Sequence, residues 1–350
     1  MRVGILTGGG DCPGLNAVIR AVVRRGQRRY GWEIIGIRSG WAGLLNEPNI
    51  MPLGIRDVGG ILRIGGTILK TSRTNPFKAG ADPTDVVHNV KKLQMDAIIA
   101  IGGDDTLGVA EKLGGMGINC VGVPKTIDND LSCTDVTFGF DTAVNIAMEA
   151  IDRVHTTAES HDRVLVVEVM GRHAGWIALY AGVAGGADAI LIPERPSTLD
   201  QICNLILTRH KRGKNFSIVV VAEGALIKFS EKEGDDSKNI VQADEVDQFG
   251  HIRLGGIANL LASEIEKSTG FETRAVILGH LQRGGSPTAY DRMLATRYGS
   301  KAVDLVEAGD FGKMVALRGT EIIAVPLSEA ISRQKLVDDE LIDMAEDFFG

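Results

Sequence analysis

Cysteine is scarce in this chain. The four cysteines, Cys12, Cys120, Cys133 and Cys203, are scattered over 350 residues. None shares C-x-x-C spacing with another, so neither a zinc knuckle nor a redox pair is suggested. Isolated thiols of this kind fit a reducing cytosol. Positive charge is not in excess either: Lys and Arg total 38 against 45 Asp and Glu, a net charge of −7. That balance, with no basic face evident, excludes a nucleic-acid coat. No apolar run approaches the ~20 residues that span a bilayer. The opening Met1-Arg2-Val3-Gly4-Ile5-Leu6-Thr7 enters a strand-like run and lacks signal-peptide layout. A soluble, cytoplasmic protein with no membrane partner is expected. Two common phosphate signatures are missing as well, the dinucleotide G-x-G-x-x-G and the P-loop G-K-[ST].

Glycine, by contrast, is abundant at 44 residues. Many of these glycines follow apolar runs, where a backbone turns tightly or approaches a ligand. Val3 to Thr7 reads as a strand, Gly8-Gly9-Gly10-Asp11 as a turn, and Gly14 to Arg25 as a helix with Leu15, Val18, Ile19 and Val22 on one face. The same order recurs at Ala97 to Leu113 and at Val164 to Ala184. Further strands are expected at Cys120 to Val123, Ala189 to Ile192, Ser217 to Ala222 and Arg274 to Leu278. A long helix is expected over Asp141 to Ser160, with Asp141 as its N-cap. Such alternation predicts an α/β fold with parallel sheets covered by helices. The length predicts two domains. Phe229 to Gly250 is polar and reads as a solvated excursion, and Leu336 to Phe349 as an acidic amphipathic helix packed on the body or on a partner subunit.

Two acidic clusters carry the chemistry: Gly102-Gly103-Asp104-Asp105-Thr106 and Pro124-Lys125-Thr126-Ile127-Asp128-Asn129-Asp130. Each follows a strand, so both loops belong at the carboxyl edge of a parallel sheet, where ligands bind. Asp104, Asp128 and Asp130 with Lys125 and glycine backbone suit a magnesium-bound polyphosphate and a hydroxyl awaiting deprotonation. Asp104 and Asp105 could instead cap the helix near Thr106, but one cap needs one carboxylate. Asp128 and Asp130 could be Asx-turn residues. Met170-Gly171-Arg172 and Leu278-Gly279-His280-Leu281-Gln282-Arg283-Gly284-Gly285 each end a strand and display a cation, as a sugar-phosphate pocket requires. Arg163 and Arg274 each open a strand and say little alone.

Taken in order, these segments with Gly65-Gly66-Thr67 and Val167-Glu168-Val169-Met170 resemble the phosphofructokinase family from Met1 to about Leu305. The resemblance implies two Rossmann-like three-layer α/β domains with interleaved segments. Residues 1–138 and 251–300 would bind the donor, 139–250 and 301–325 the sugar phosphate, and 326–350 would form a helical tail. It also implies roles for single residues. Asp128 resembles the general base toward the sugar 1-hydroxyl, assisted by Lys125 and Arg172. Asp104 matches the magnesium ligand, with Asp130 close to the metal. Gly10, Arg73, Asp104, Asp105 and Lys125 would face the donor. Thr126, Asp128, Asp130, Met170, Gly171, Arg172, Glu223, His280 and Arg283 would face fructose 6-phosphate. Arg163 and Arg274 match arginines that reach that phosphate from a neighbouring subunit, so a homo-oligomer, dimer or tetramer, with a shared site is implied.

ATP-using relatives typically carry glycine where this chain has Asp105, and many carry glycine in place of Lys125. The pair Asp105 and Lys125 resembles the pyrophosphate-dependent members. A carboxylate in the path of the α-phosphate adds bulk and like charge. Two unit charges about 4 Å apart at an effective dielectric of about 20 repel by roughly 4 kcal/mol. Pyrophosphate has no α-phosphate and avoids the clash, and Lys125 can neutralise the leaving phosphate. The implied reaction is a magnesium-dependent, reversible transfer from pyrophosphate to fructose 6-phosphate. The alternatives are an ATP-dependent 6-phosphofructokinase, a catalytically silent sugar-phosphate sensor, and a different acceptor such as sedoheptulose 7-phosphate. Arg20, Arg24, Arg212 and Lys214 match nucleotide-effector residues of relatives, but His155 and Asp188 depart from the pattern. Weak or absent nucleotide regulation is therefore expected.

Overall fold

The computed structural model describes residues 1–78, 80–228, 241–246 and 252–350. Met1–Thr142 and Arg283–Gln334 belong to one compact unit, and Ala143–Val246, Ile252–Gln282 and Lys335–Gly350 to a second. The first unit opens with β1 (Arg2–Thr7), α1 (Leu15–Tyr30), β2 (Glu33–Ile37), β3 (Ile50–Leu53), α2 (Pro83–Lys92), β4 (Ala97–Gly102), α3 (Asp104–Gly114) and β5 (Cys120–Pro124). After α4 (Phe140–His161) come β6 (Val164–Val169), α5 (Trp176–Ala184), β7 (Ala189–Leu191), β8 (Ser197–Thr198), α6 (Leu199–Lys211) and β9 (Ser217–Ala222). The second unit continues with β10 (Ile227–Lys228), β11 (Val241–Val246), β12 (Ile252–Leu254), α7 (Ile257–Thr269) and β13 (Thr273–Ile277). The chain then adds α8 (Ala289–Glu307), β14 (Lys313–Arg318), β15 (Glu321–Pro326) and α9 (Leu327–Ala330) to the first unit, and α10 (Asp339–Glu346) to the second.

The first sheet has the order β15-β14-β5-β4-β1-β2-β3. Its central strands β5, β4, β1 and β2 are parallel, and only the edge strands β3 and β15 pair antiparallel. Every residue of β4 is buried, as expected of a parallel strand covered by helices on both faces. Pro52, which has no N–H to donate, sits on the edge strand β3, where a ladder tolerates it. One core packs Leu6, Ile35, Ile98, Leu107, Leu113 and Met314 together.

The second sheet, β13-β6-β9-β7, is wholly parallel. Its core includes Val164, Val166, Val219 and Val221 from the strands and Leu261 and Ile265 from α7. The Glu168 carboxylate is buried among these apolar neighbours. It accepts from the backbone N–H groups of Gly256 at 2.9 Å and Ala258 at 2.9 Å, where α7 begins. A negative side chain at a helix N-terminus satisfies orphan donors and complements the macrodipole.

The expected α/β class and strand positions hold, and four boundaries differ. Helix α1 runs on to Tyr30 because its last turns are polar Arg and Gln, invisible to an apolar count, and Gly31 stops it in the left-handed region at φ 68°. Helix α4 begins at Phe140, so Asp141 lies in its first turn and is not the cap. The tail helix is shorter than Leu336 to Phe349, because Asp338 takes the N-cap position. Within the polar excursion, Val241–Val246 pairs antiparallel with β12; 229–240 and 247–250 lie outside the described residues. The division between units also differs from the expected ranges. Segment 252–282 groups with the second unit because β13 pairs with β6, and 301–325 with the first because β14 pairs with β5.

Ile99, fully buried in β4, provides a check on the packing of the first sheet. Ile99→Ala is expected to cost about 2–5 kcal/mol, read as a lower urea midpoint with an unchanged slope.

Candidate active site

The three loops of the first unit that sequence singled out leave β1, β4 and β5, which are neighbours in one parallel sheet. They therefore emerge side by side at the carboxyl edge. The Gly8 N–H donates to the carbonyl of Ile101 at 2.9 Å, tying the β1 loop to β4. The Lys125 N–H donates to the Gly102 carbonyl at 2.9 Å, tying the β5 loop to β4. Asp104 and Asp105 occupy the first turn of α3, and the N-cap position is Gly103, with no side-chain cap. The capping alternative for these carboxylates thus does not describe them.

Lys125 is 4% exposed, and its ammonium donates to the carbonyl of Gly10. Burial lowers its pKa, and the Arg283 guanidinium pushes the same way. Cys12, Asp128 and Asp11 oppose the shift. Gly10 lies against Arg283: a Cβ there would meet the guanidinium and displace it. Arg283 itself donates to the Asp11 carbonyl at 3.3 Å. The structure thus places this expected sugar-pocket residue beside the glycine turn. The Cys12 thiol is buried in the same neighbourhood and its pKa is raised by desolvation. Arg73, expected to face the donor, is exposed on the first unit.

The loop after Lys125 is held by its own side chains. The Thr126 hydroxyl accepts from the Asp128 N–H at 3.0 Å. Asn129 adopts φ 53°, which asparagine tolerates better than most residues, and its Oδ1 accepts from the Thr137 N–H at 3.1 Å. Asp128 and Asp130 are both buried. Oδ1 of Asp128 is inaccessible and has no hydrogen-bond partner, an arrangement costly for a carboxylate unless a cation or proton meets it. The Asp130 carboxyl is pushed up to about 7, first by burial and then by the charges of Asp128 and Asp104. Asp104, Asp128 and Asp130 are therefore close enough to repel. Among the described residues, no group of three or more His, Cys, Asp or Glu side chains is arranged to hold a metal unaided.

In the second unit, the expected pocket residues also converge on one edge. Met170, Gly171 and Arg172 follow β6. The Glu223 N–H, after β9, donates to the Val169 carbonyl at 2.8 Å, and a Glu223 carboxylate oxygen accepts from the Arg172 N–H at 3.1 Å. The Leu278 N–H, after β13, donates to the Glu168 carbonyl at 3.0 Å, bringing the exposed His280 to the same edge. Gly171 takes φ 150° and Arg172 φ 51°. A left-handed arginine is uncommon, and strain of this kind collects at ligand sites.

Arg163 and Arg274 are not brought to that edge. Arg163 precedes β6, and Arg274 sits near the start of β13, both on Glu272 at 2.7 and 2.6 Å. At about 3.3 Å per residue, Arg163 lies about 23 Å along the strand from Met170. Sequence reasoning quoted Asn129 and Glu168 only within motifs, with no role of their own, and passed over Thr137. The D-N-D spacing was a signal for the left-handed Asn129; Thr137 and Glu168 gave none, because their partners are remote in sequence or are backbone groups.

The raised Asp130 carboxyl has a stability consequence in metal-free protein. Its folded pKa exceeds the unfolded value of 3.8, so the folded state holds the extra proton between the two. Stability therefore declines as pH rises from about 4 to about 7, and the penalty is fully present above that. Asp130→Asn in chelator-treated protein is expected to raise the unfolding temperature at pH 8 and to leave it little changed at pH 4. Equal shifts at both values would contradict this reading.

Comparison with known proteins agrees with this architecture. The phosphofructokinase family model matches residues 2–306. A pyrophosphate–fructose 6-phosphate 1-phosphotransferase from Amycolatopsis mediterranei is 60% identical over 351 residues, covering 100% of each chain. An ATP-dependent 6-phosphofructokinase 3 from Streptomyces coelicolor is 53% identical over 346 residues, covering 99% of each. The T-state crystal structure of Pichia pastoris phosphofructokinase superposes with a TM-score of 0.80 at 31% identity; the match covers 99% of this chain and 37% of that longer one. The loops at the carboxyl edges and the fold that carries them place this chain in the phosphofructokinase family.

Proposed function

We propose that the chain transfers a phosphoryl group from magnesium pyrophosphate to the 1-hydroxyl of fructose 6-phosphate in the cytoplasm, reversibly. The observation that carries this reading is the buried Lys125 ammonium beside the Gly10 carbonyl, with Asp105 in the first turn of α3. Relatives of high identity bear both pyrophosphate and ATP names, so the choice of donor rests on these two side chains. A partly desolvated amine recognises a compact inorganic phosphate as a point charge. A carboxylate at position 105 repels the additional phosphate of a nucleotide.

Asp104, Asp128 and Asp130 fit a magnesium ion delivered with the donor. The unpartnered Asp128 oxygen and the mutual repulsion of the acids are features that a cation relieves. The lack of an all-protein cage among the described residues fits magnesium's habit of using one or two carboxylates plus phosphate and water. When bound, the ion supplies charge neutralisation on the transferring phosphate. Asp128 receives the proton of the attacking hydroxyl. Lys125 and Arg172 stabilise charge on the leaving and transferring groups, and Gly10 and Arg73 line the donor side. Thr126, Met170, Gly171, Glu223, His280 and Arg283 orient the sugar phosphate.

Arg163 and Arg274, at the opposite end of their strands from Met170, serve the pocket of a second copy in a homo-oligomer. Nucleotide regulation is weak in this reading, since Asp188 is already paired with Arg209 at 2.8 Å and His155 with the Gly185 carbonyl at 2.9 Å.

Two outcomes test the proposal. With fructose 6-phosphate and magnesium, pyrophosphate is expected to support turnover far above ATP, and Asp105→Gly with Lys125→Gly to move preference toward ATP. Equal use of both donors by the unaltered protein would favour the ATP reading that the Streptomyces relative's name suggests. Asp128→Ser is expected to lower kcat by about 10²–10⁴-fold with sugar affinity little changed; binding of the sugar phosphate without product by the unaltered protein would indicate a sensor.

A further inference from the structure

We infer that Asp291, at the N-terminus of α8, is a positioning residue for the Lys125–Asp130 loop, acting through the 137–142 segment. This rests on the reading of that loop given above.

Asp291 is fully buried. It is placed to interact with its own N-cap, and the Asp291 N–H does donate to the Thr288 hydroxyl at 3.3 Å. Its carboxylate instead reaches away from α8. Oδ2 accepts from the Thr142 N–H at 2.8 Å and from the Thr142 hydroxyl at 2.5 Å. The connection is returned from α8: the Thr288 N–H donates to the Thr142 hydroxyl at 3.0 Å, and the Thr288 hydroxyl donates to Asp141. The start of α4 is thereby fastened to the start of α8, and one buried carboxylate serves two helix N-termini.

The residues just before this fastening hold the reactive loop. Phe138 forms a parallel β-bridge with Lys125. The Thr137 hydroxyl donates to the Thr126 carbonyl at 2.7 Å, and the Thr137 N–H donates to Asn129 at 3.1 Å. Lys125, Thr126 and Asn129 are thus braced from 137–138, and that brace continues directly into the backbone held by Asp291. The other carboxylate oxygen of Asp291 is buried with no partner. A residue kept only for stability has little reason to bury such an atom, whereas a carboxylate needed to collect several donors at one point does.

Asp291 is thus a determinant of geometry, acting through the 137–142 segment. In the pyrophosphate assay, Asp291→Ala is expected to lower kcat at least tenfold while the KM for fructose 6-phosphate stays within twofold. Asp291→Asn, which keeps an acceptor oxygen for Thr142, recovers most of the lost kcat. Thr137→Val replaces the hydroxyl that holds Thr126 with a methyl and reproduces the kcat loss, again with the KM for fructose 6-phosphate within twofold. It keeps the test decisive where Asp291→Ala does not fold. Unchanged kcat in folded Asp291→Ala, or in Thr137→Val, overturns the inference. Asp128→Ala, run alongside, separates the two readings: if it retains full activity, the assignment of the loop has failed, whatever Asp291 does.

Discussion

The buried amine of Lys125 is the constraint on which the first unit's site depends. Taking an ammonium out of water is expensive unless acceptors or opposite charges meet it. Here the Gly10 carbonyl accepts a hydrogen bond from it, and Asp11 and Asp128 lie close enough to favour its charge. That requirement fixes the glycine turn after β1 against the loop after β5. It also puts the Arg283 guanidinium where a Cβ at position 10 would lie, so a side chain there would have to displace Arg283. Cations and anions are packed at a density that neither alone would tolerate. In the proposed reading, the charge left unsatisfied there is what meets phosphate.

The carboxylates show the same unfinished balance. Asp128 keeps an oxygen without a partner, and Asp130 resists ionisation because it is buried and because Asp128 and Asp104 are near. In a purely structural network such groups would be hydrogen-bonded through. Their state is understandable when a divalent cation and a phosphate complete the set. The loop bearing them is not left to find its shape on binding: Thr126, Asn129 and Thr137 lock it from within, and Asp291 fastens the segment that does the locking. Preorganisation of this kind is how phosphoryl transfer, with little covalent work for the protein, gains rate.

Much of this was legible in the sequence because the physics is local. A parallel strand buried on both faces reads as an apolar run, and the residues following it must lie at the carboxyl edge; β4 with Asp104 and β5 with Asp128 follow that logic. The polar end of α1 was not legible, since an apolar stripe cannot mark a turn made of arginine and glutamine. Nor was the assignment of residues 301–325 to the first unit, because it depends on β14 choosing β5 as its neighbour across nearly two hundred residues. Asp291 escaped for a related reason. In sequence it is an ordinary first-turn acid of α8, and only the fold brings Thr142 to it.

The relation of Lys125 to the donor can be observed directly. In crystals of the protein with magnesium pyrophosphate and fructose 6-phosphate, the account predicts that the Lys125 ammonium contacts a pyrophosphate oxygen at hydrogen-bonding distance, with Asp105 beyond the far phosphate. A pyrophosphate bound elsewhere, with Lys125 still on the Gly10 carbonyl alone, would contradict it.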